Sequence, residues 1–101
     1  MKPINTIFVV GGGTAGVSAA AVLKKSFPEK DIRIIKGRTI PTIGVGESTL
    51  GGINMFLQFL NIQDEDFMKA CNASYKQSIR FEDFGHLGDG GFHYPFGRPH
   101  Y

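Results

Sequence analysis

Residues 10–16 read Val-Gly-Gly-Gly-Thr-Ala-Gly, with glycines at 11, 13 and 16 in the spacing G-x-G-x-x-G. Glycine at these positions suits the holding of a dinucleotide pyrophosphate. Gly11 permits a tight turn, Gly13 lets backbone approach the phosphates without an intervening side chain, and Gly16 lets a helix pack closely on a sheet. The N–H groups of Thr14, Ala15 and Gly16 would then face the anion at the positive end of the helix dipole. A glycine turn that merely joins strand to helix is the plainer alternative. A carboxylate for the ribose is expected about 20 residues later, yet that region reads Ile35-Lys36-Gly37-Arg38. Three readings stand for the basic pair Lys36 and Arg38: contact with a 2′-phosphate and hence NADP, a ribose held by backbone and other groups, or simple solvation.

The elements that must position this turn are legible around it. Residues 6–10, Thr-Ile-Phe-Val-Val, form a continuous β-branched run ending at glycine, which predicts a parallel central strand buried on both faces. Residues 14–27 are rich in Ala, Leu and Lys, with small Gly16, Ala19 and Ala20 near helical spacing and Pro28 as a stop, predicting a close-packing helix. Residues 32–35 predict a second strand, so residues 1–36 form one βαβ unit. Residues 37–52 form a Pro- and Gly-punctuated loop. Helices are expected over 54–60 and 64–73, and a strand over 78–84. Residues 85–101 read as loop, with Gly88-Asp89-Gly90-Gly91 as a turn signal.

The 101 residues contain 14 Gly, 5 Pro, 1 Cys and no Trp, enough for one small unit. Eleven Lys and Arg against nine Asp and Glu, a net charge of +2, leave no electrostatic footprint for nucleic acid or an anionic membrane. One cysteine excludes an internal disulfide and a Cys-based zinc site and fits a reducing compartment. With no secretion signal at the N-terminus and an apolar run of only Ile7 to Val10, a cytoplasmic location without membrane attachment is expected.

Four blocks then share one resemblance. Gly11-Gly12-Gly13-Thr14-Ala15-Gly16, Ile40-Pro41-Thr42-Ile43-Gly44-Val45-Gly46-Glu47-Ser48-Thr49, Cys71-Asn72-Ala73-Ser74-Tyr75-Lys76 followed by Ser78-Ile79-Arg80-Phe81, and Phe92-His93-Tyr94-Pro95-Phe96-Gly97 occur in the order found in flavin-dependent tryptophan halogenases. The chain resembles the N-terminal part of such an enzyme. The resemblance implies an α/β fold in which the Rossmann-like βαβ unit is an incomplete part of a larger FAD-binding, GR2-type monooxygenase-like fold. It implies FAD, used as FADH2 from a separate flavin reductase, with halide and O2 as co-substrates. The turn residues, together with Lys36, Gly37, Ile40, Val45, Gly46, Glu47 and Ser48, would lie at the cofactor.

Hypohalous acid formed at the flavin would travel to a lysine beside the substrate, Lys76 here, and halogenate tryptophan or another electron-rich aromatic. That lysine would act as a haloamine or as a hydrogen-bond donor, and burial would assist either role. The resemblance also implies that His93, Tyr94, Pro95 and Phe96 lie near the indole site, and it allows a homodimer at full length. Taken as plain structure, Lys76 would be a solvated lysine, and Ser48 or Thr49 would cap the following helix. Two departures from the family stand out: Val17 replaces the usual Trp, and Phe-His-Tyr-Pro-Phe replaces Phe-Tyr-His, leaving open which residue takes the histidine's place. The family's catalytic glutamate and WxWxIP motif lie far downstream of any position in these 101 residues. Another FAD- or NADP-dependent monooxygenase and an inactive nucleotide-binding fragment are the alternatives. With sheet edges left to pair, the isolated chain is expected to be poorly soluble or partly disordered.

Overall fold

A computed structural model describes residues 1–41, 43 and 47–97. β1 (Thr6–Val10) and β2 (Asp31–Ile35) pair in parallel, with Thr6 opposite Asp31 and Val10 opposite Ile35. The ladder extends at both ends, through Asp31 N–H to the Asn5 carbonyl at 2.9 Å and Gly11 N–H to the Ile35 carbonyl at 2.8 Å. α1 (Thr14–Ser26) is the crossover between them. Its last turn is anchored by Lys24, whose ammonium donates to the carbonyls of Pro28 and Lys30 at 2.8 and 2.9 Å. This cation also complements the negative end of the helix dipole. In β2, Arg33 donates to Asp31 and lies 5.9 Å from the centre of the Phe8 ring; the hydrogen bond and then the charge of Asp31 raise its already high pKa.

α2 (Ile53–Leu60) and α3 (Asp64–Cys71) follow. Both end on an asparagine in the left-handed region, Asn61 at φ 57° and Asn72 at φ 49°. Behind each, the next residue reaches back: Ile62 N–H to the Leu57 carbonyl and Ala73 N–H to the Met68 carbonyl, both at 2.9 Å. Such closures satisfy carbonyls that the helix leaves without partners. The Asn72 turn is why α3 stops at Cys71 instead of continuing to 73. Asp64, Glu65 and Asp66 in the first turn of α3 favour its positive end.

β3 (Ser78–Glu82) and β4 (Gly91–Pro95) form an antiparallel hairpin with Phe81 opposite Phe92. β3 ends at Glu82, short of the expected 84, because Asp83 turns to φ 48°. β4 corrects the reading of residues 85–101 as loop. Pro95 obscures the strand in sequence, yet it sits at the edge position least affected by a missing N–H. The hydrogen-bonded pairs are Gln77 with Phe96 and Asp83 with Gly90, so alternation makes Ser78 and Pro95 a pair without ladder bonds. The connection is built on Asp83, whose carboxylate accepts from Gly88 N–H at 3.0 Å and Gly90 N–H at 3.3 Å. Phe81 stacks on Phe92 at 5.2 Å, and Phe84 meets both rings edge-on.

The core is small. Among the described residues only Ala20 of α1 and Leu57 of α2 are buried. β1 was expected to be covered on both faces, but only Ile7 and Val9 are half-buried, whereas Phe8 and Val10 are exposed. The sheet has two strands, so among the described residues β1 has neither a second neighbour nor a second covering layer. The radius of gyration is 19.2 Å, against about 13 Å for a compact domain of this length. No helix among the described residues is long and apolar enough to cross a membrane.

Candidate functional site

The glycine turn has the geometry of an anion cradle, with a different cause at each glycine. Gly11 has φ 126°, a conformation that side chains rarely adopt. A Cβ on Gly16 would lie 2.0 Å from the Gly11 carbonyl oxygen, so the helix folds directly over the turn that precedes it. Gly13 is extended and caps α1 without a side-chain bond, and a Cβ there would meet nothing within 4 Å. The first helical bond runs from Val17 N–H to the Gly13 carbonyl at 3.0 Å. The N–H groups of Thr14, Ala15 and Gly16 therefore precede the intrahelical ladder and lie at the positive end of the dipole.

Lys36 borders this turn. A Cβ on Gly12 would come within 2.8 Å of the Lys36 Cβ, so the lysine stem lies across Gly12. Gly37 and Ile40 contact each other instead, with the Ile40 side chain 2.8 Å from where a Gly37 Cβ would stand. Val45 and Gly46 lie outside the described residues.

Glu47, Ser48 and Thr49 link the turn to Lys76. Thr14 Oγ1 donates to Glu47 Oε1 at 2.9 Å, setting a carboxylate at an α1 N-terminus whose own first turn has no acidic residue. Lys76 Nζ donates to Ser48 Oγ at 2.7 Å and to the Thr49 carbonyl at 2.6 Å, and lies 4.2 Å from the centre of the Phe96 ring. The cap expected from Ser48 or Thr49 is not formed: α2 begins after Gly52, with no side-chain capping bond. Lys76 is exposed, so burial does not assist it; its ammonium is held instead by oxygens and an aromatic face.

The hairpin separates the aromatic segment into two faces. Tyr94 pairs with Ile79 and Phe92 with Phe81, placing both aromatics on one face of the ladder. His93, opposite Arg80, points to the other face, where its Nδ1 is 2.9 Å from Ser78 Oγ. Pro95 shares the His93 side by alternation, opposite Ser78. His93 therefore does not line one surface with Tyr94 and Phe96: by the same alternation, carried on by the bond from Phe96 N–H to the Gln77 carbonyl, Tyr94 and Phe96 share the Phe92 face. Sequence reading passed over the Thr49 carbonyl and Asp83. The first is a main-chain atom with no residue-type signal, whereas the second had one, an Asp before a Gly-Asp-Gly turn.

The segment containing both the cradle and the Lys76 cluster has clear relatives. Residues 6–101 match the sequence profile of the tryptophan halogenase family. The chain is 49% identical over 89 residues to 7-chloro-L-tryptophan 6-halogenase KtzR of Kutzneria sp. (strain 744), covering 87% of this chain and 17% of that protein. The crystal structure of tryptophan 6-halogenase SttH from Streptomyces toxytricini superposes with a TM-score of 0.82 at 42% identity, covering 93% of this chain and 19% of that one. Xcc4156, a flavin-dependent halogenase from Xanthomonas campestris, gives 0.85 at 34% identity over 95% of this chain and 20% of its own. The chain thus spans about a fifth of the length of the proteins it matches. One profile takes in the glycine turn, the Glu47 to Thr49 link, Lys76 and the hairpin, and the chain belongs to the tryptophan halogenase family.

Proposed function

We propose that this chain provides the flavin-nucleotide cradle and the lysine of a flavin-dependent halogenase acting on tryptophan or another electron-rich aromatic. The observation that carries the reading is the continuous link from cradle to lysine: Thr14 to Glu47 at one end, Ser48 and Thr49 to Lys76 at the other. Gly13 leaves open space where a pyrophosphate would approach, and three N–H groups precede the helical ladder beside it, so the residues fit FAD. Bound in its reduced form, FAD would give two electrons to O2, which takes two more from halide to leave hypohalous acid and water. A separate flavin reductase would deliver that reduced cofactor.

The chain's own residues then bind, position and donate. Gly11, Gly13 and Gly16 hold the turn open, and Thr14, Ala15 and Gly16 present N–H groups. Lys76, as an ammonium with three protons, gives two to Ser48 and Thr49 and keeps one to polarise the X–O bond of hypohalous acid. Tyr94 and Phe96 offer aromatic surface to an indole. The names of the relatives, tryptophan halogenases and a flavin-dependent halogenase among them, support this choice of substrate and cofactor.

The test is a chimaera in which this chain replaces the matching segment of SttH, supplied with reduced FAD, O2, bromide and tryptophan. The expected product is tryptophan carrying bromine in place of hydrogen, detected by mass, with Lys76→Ala abolishing it while FAD remains bound. Halogenation retained in Lys76→Ala would overturn the role of the lysine. A chimaera that folds but no longer binds FAD would overturn the cradle.

A further inference from the structure

At the open end of the β3–β4 hairpin, Phe96 N–H donates to the Gln77 carbonyl at 3.0 Å. The ladder therefore continues one pair beyond Pro95, which sets the Phe96 ring beside Lys76. The ring and the Ser48 hydroxyl hold the ammonium in complementary ways. The aromatic face attracts the cation without taking a strong hydrogen bond, whereas the hydroxyl accepts along one N–H direction at 2.7 Å. The Thr49 carbonyl accepts along a second direction at 2.6 Å. A lysine stem with four rotatable carbons would otherwise sample many positions in solvent.

We propose that Ser48 and Phe96 are positioning residues for Lys76, fixing the ammonium between loop and hairpin so that its third N–H stays available at one place. The proposal rests on Lys76 being the halogenating lysine, but its structural content does not. Phe96 then serves the lysine with the ring face that the cation covers, and an aromatic substrate reaches Phe96 only by the remaining face or edge. A shift of even about 1 Å in a catalytic group can cost on the order of a hundredfold in rate, so the effect should be visible in turnover.

The experiment uses nuclear magnetic resonance on the FAD-binding SttH chimaera with isotope-labelled lysine. The Lys76 ε-methylene protons, identified by their loss in Lys76→Arg, should lie upfield of those of the exposed Lys2 and Lys25, because the Phe96 ring current shields them. Phe96→Leu should return them to the exposed-lysine position, while Phe96→Tyr keeps them shifted. Unshifted protons in the wild type, or a shift that survives Phe96→Leu, would overturn the proposal. In the SttH chimaera, Ser48→Ala should lower kcat on the order of tenfold with little change in the KM for tryptophan, and Phe96→Leu should lower kcat by a similar factor; Ser48→Thr and Phe96→Tyr should recover most of it, and unchanged kcat in both Ser48→Ala and Phe96→Leu also overturns it. Activity surviving in Lys76→Ala would instead sink the halogenase role of the lysine, leaving the proton shift to report on positioning alone.

Discussion

Thr14 Oγ1 and Glu47 Oε1 are joined by a 2.9 Å hydrogen bond across 33 residues of chain. Glu47 thereby becomes the anionic neighbour of an α1 N-terminus that has no acidic residue of its own. A carboxylate gains from the helix dipole at this place, and so does a phosphate. The two charges repel each other when both are present.

Glu47→Gln keeps an oxygen for Thr14 and removes the charge. FAD affinity should therefore rise by roughly two- to fivefold, equivalent to about 0.4–1 kcal/mol. Quenching of flavin fluorescence on titration measures it, and the gain should shrink as salt screens the repulsion. Weaker binding would mean that the carboxylate itself contacts the cofactor.

The glycines of the cradle should separate cleanly under substitution. Gly16→Ala drives a methyl group to 2.0 Å from the Gly11 carbonyl oxygen, and overpacking of this kind costs roughly 1–3 kcal/mol or more. Gly13→Ala meets nothing within 4 Å, so stability should change by no more than about 0.5 kcal/mol. Because the added methyl occupies the pyrophosphate approach, its FAD affinity should fall at least about tenfold, or about 1.4 kcal/mol. Urea titration followed by circular dichroism, paired with flavin titration, distinguishes the two.

Substrate contact should follow the face of the hairpin rather than residue type. In the SttH chimaera, Tyr94→Ala should raise the KM for tryptophan by roughly three- to tenfold, the range expected for one aromatic pair. His93→Ala should leave it unchanged, since His93 points to the opposite face with Ser78. The reverse pattern in steady-state kinetics would show that the strand twists His93 toward the substrate.

The β3–β4 connection should depend on Asp83. Asp83→Ala removes the acceptor for Gly88 and Gly90 N–H groups and should loosen the hairpin by about 1 kcal/mol. Asp83→Asn retains an acceptor and a tolerance for φ 48°, so it should be nearly silent. Loss of ring-current shifts from the Phe81, Phe84 and Phe92 cluster at low urea reads the difference.

The parts of this structure legible in sequence are those in which one segment carries its own instruction. Residues 6–10 and 32–35 announce β1 and β2 by β-branched runs, and the Gly11 to Gly16 spacing announces the turn between strand and helix. The four motif blocks also carried the family, which the match over residues 6–101 bears out. Illegible were the pairings that depend on the path of residues 37–52. Thr14 to Glu47 and Ser48 to Lys76 bring together residues 33 and 28 positions apart, and nothing in their local sequence marks the partner. Asn72 and Asp83 ended their elements early by turning left-handed, a choice Asn and Asp make only in context. Pro95 hid β4 because its effect depends on which side of the strand bonds, and that is a property of the pair.

The hairpin also works as a gauge. Gly90, returned to Asp83 at the closed end, sets the pairing by which Phe96 meets Gln77 at the open end. Length changes confined to residues 84–89 that preserve this closure would be silent near Lys76. A single residue added within β4 would exchange Tyr94 for His93 on the aromatic face and carry Phe96 away from the ammonium. The tip can therefore change length without moving Phe96, whereas the count of residues between Gly90 and Phe96 decides whether the ring reaches the Lys76 ammonium.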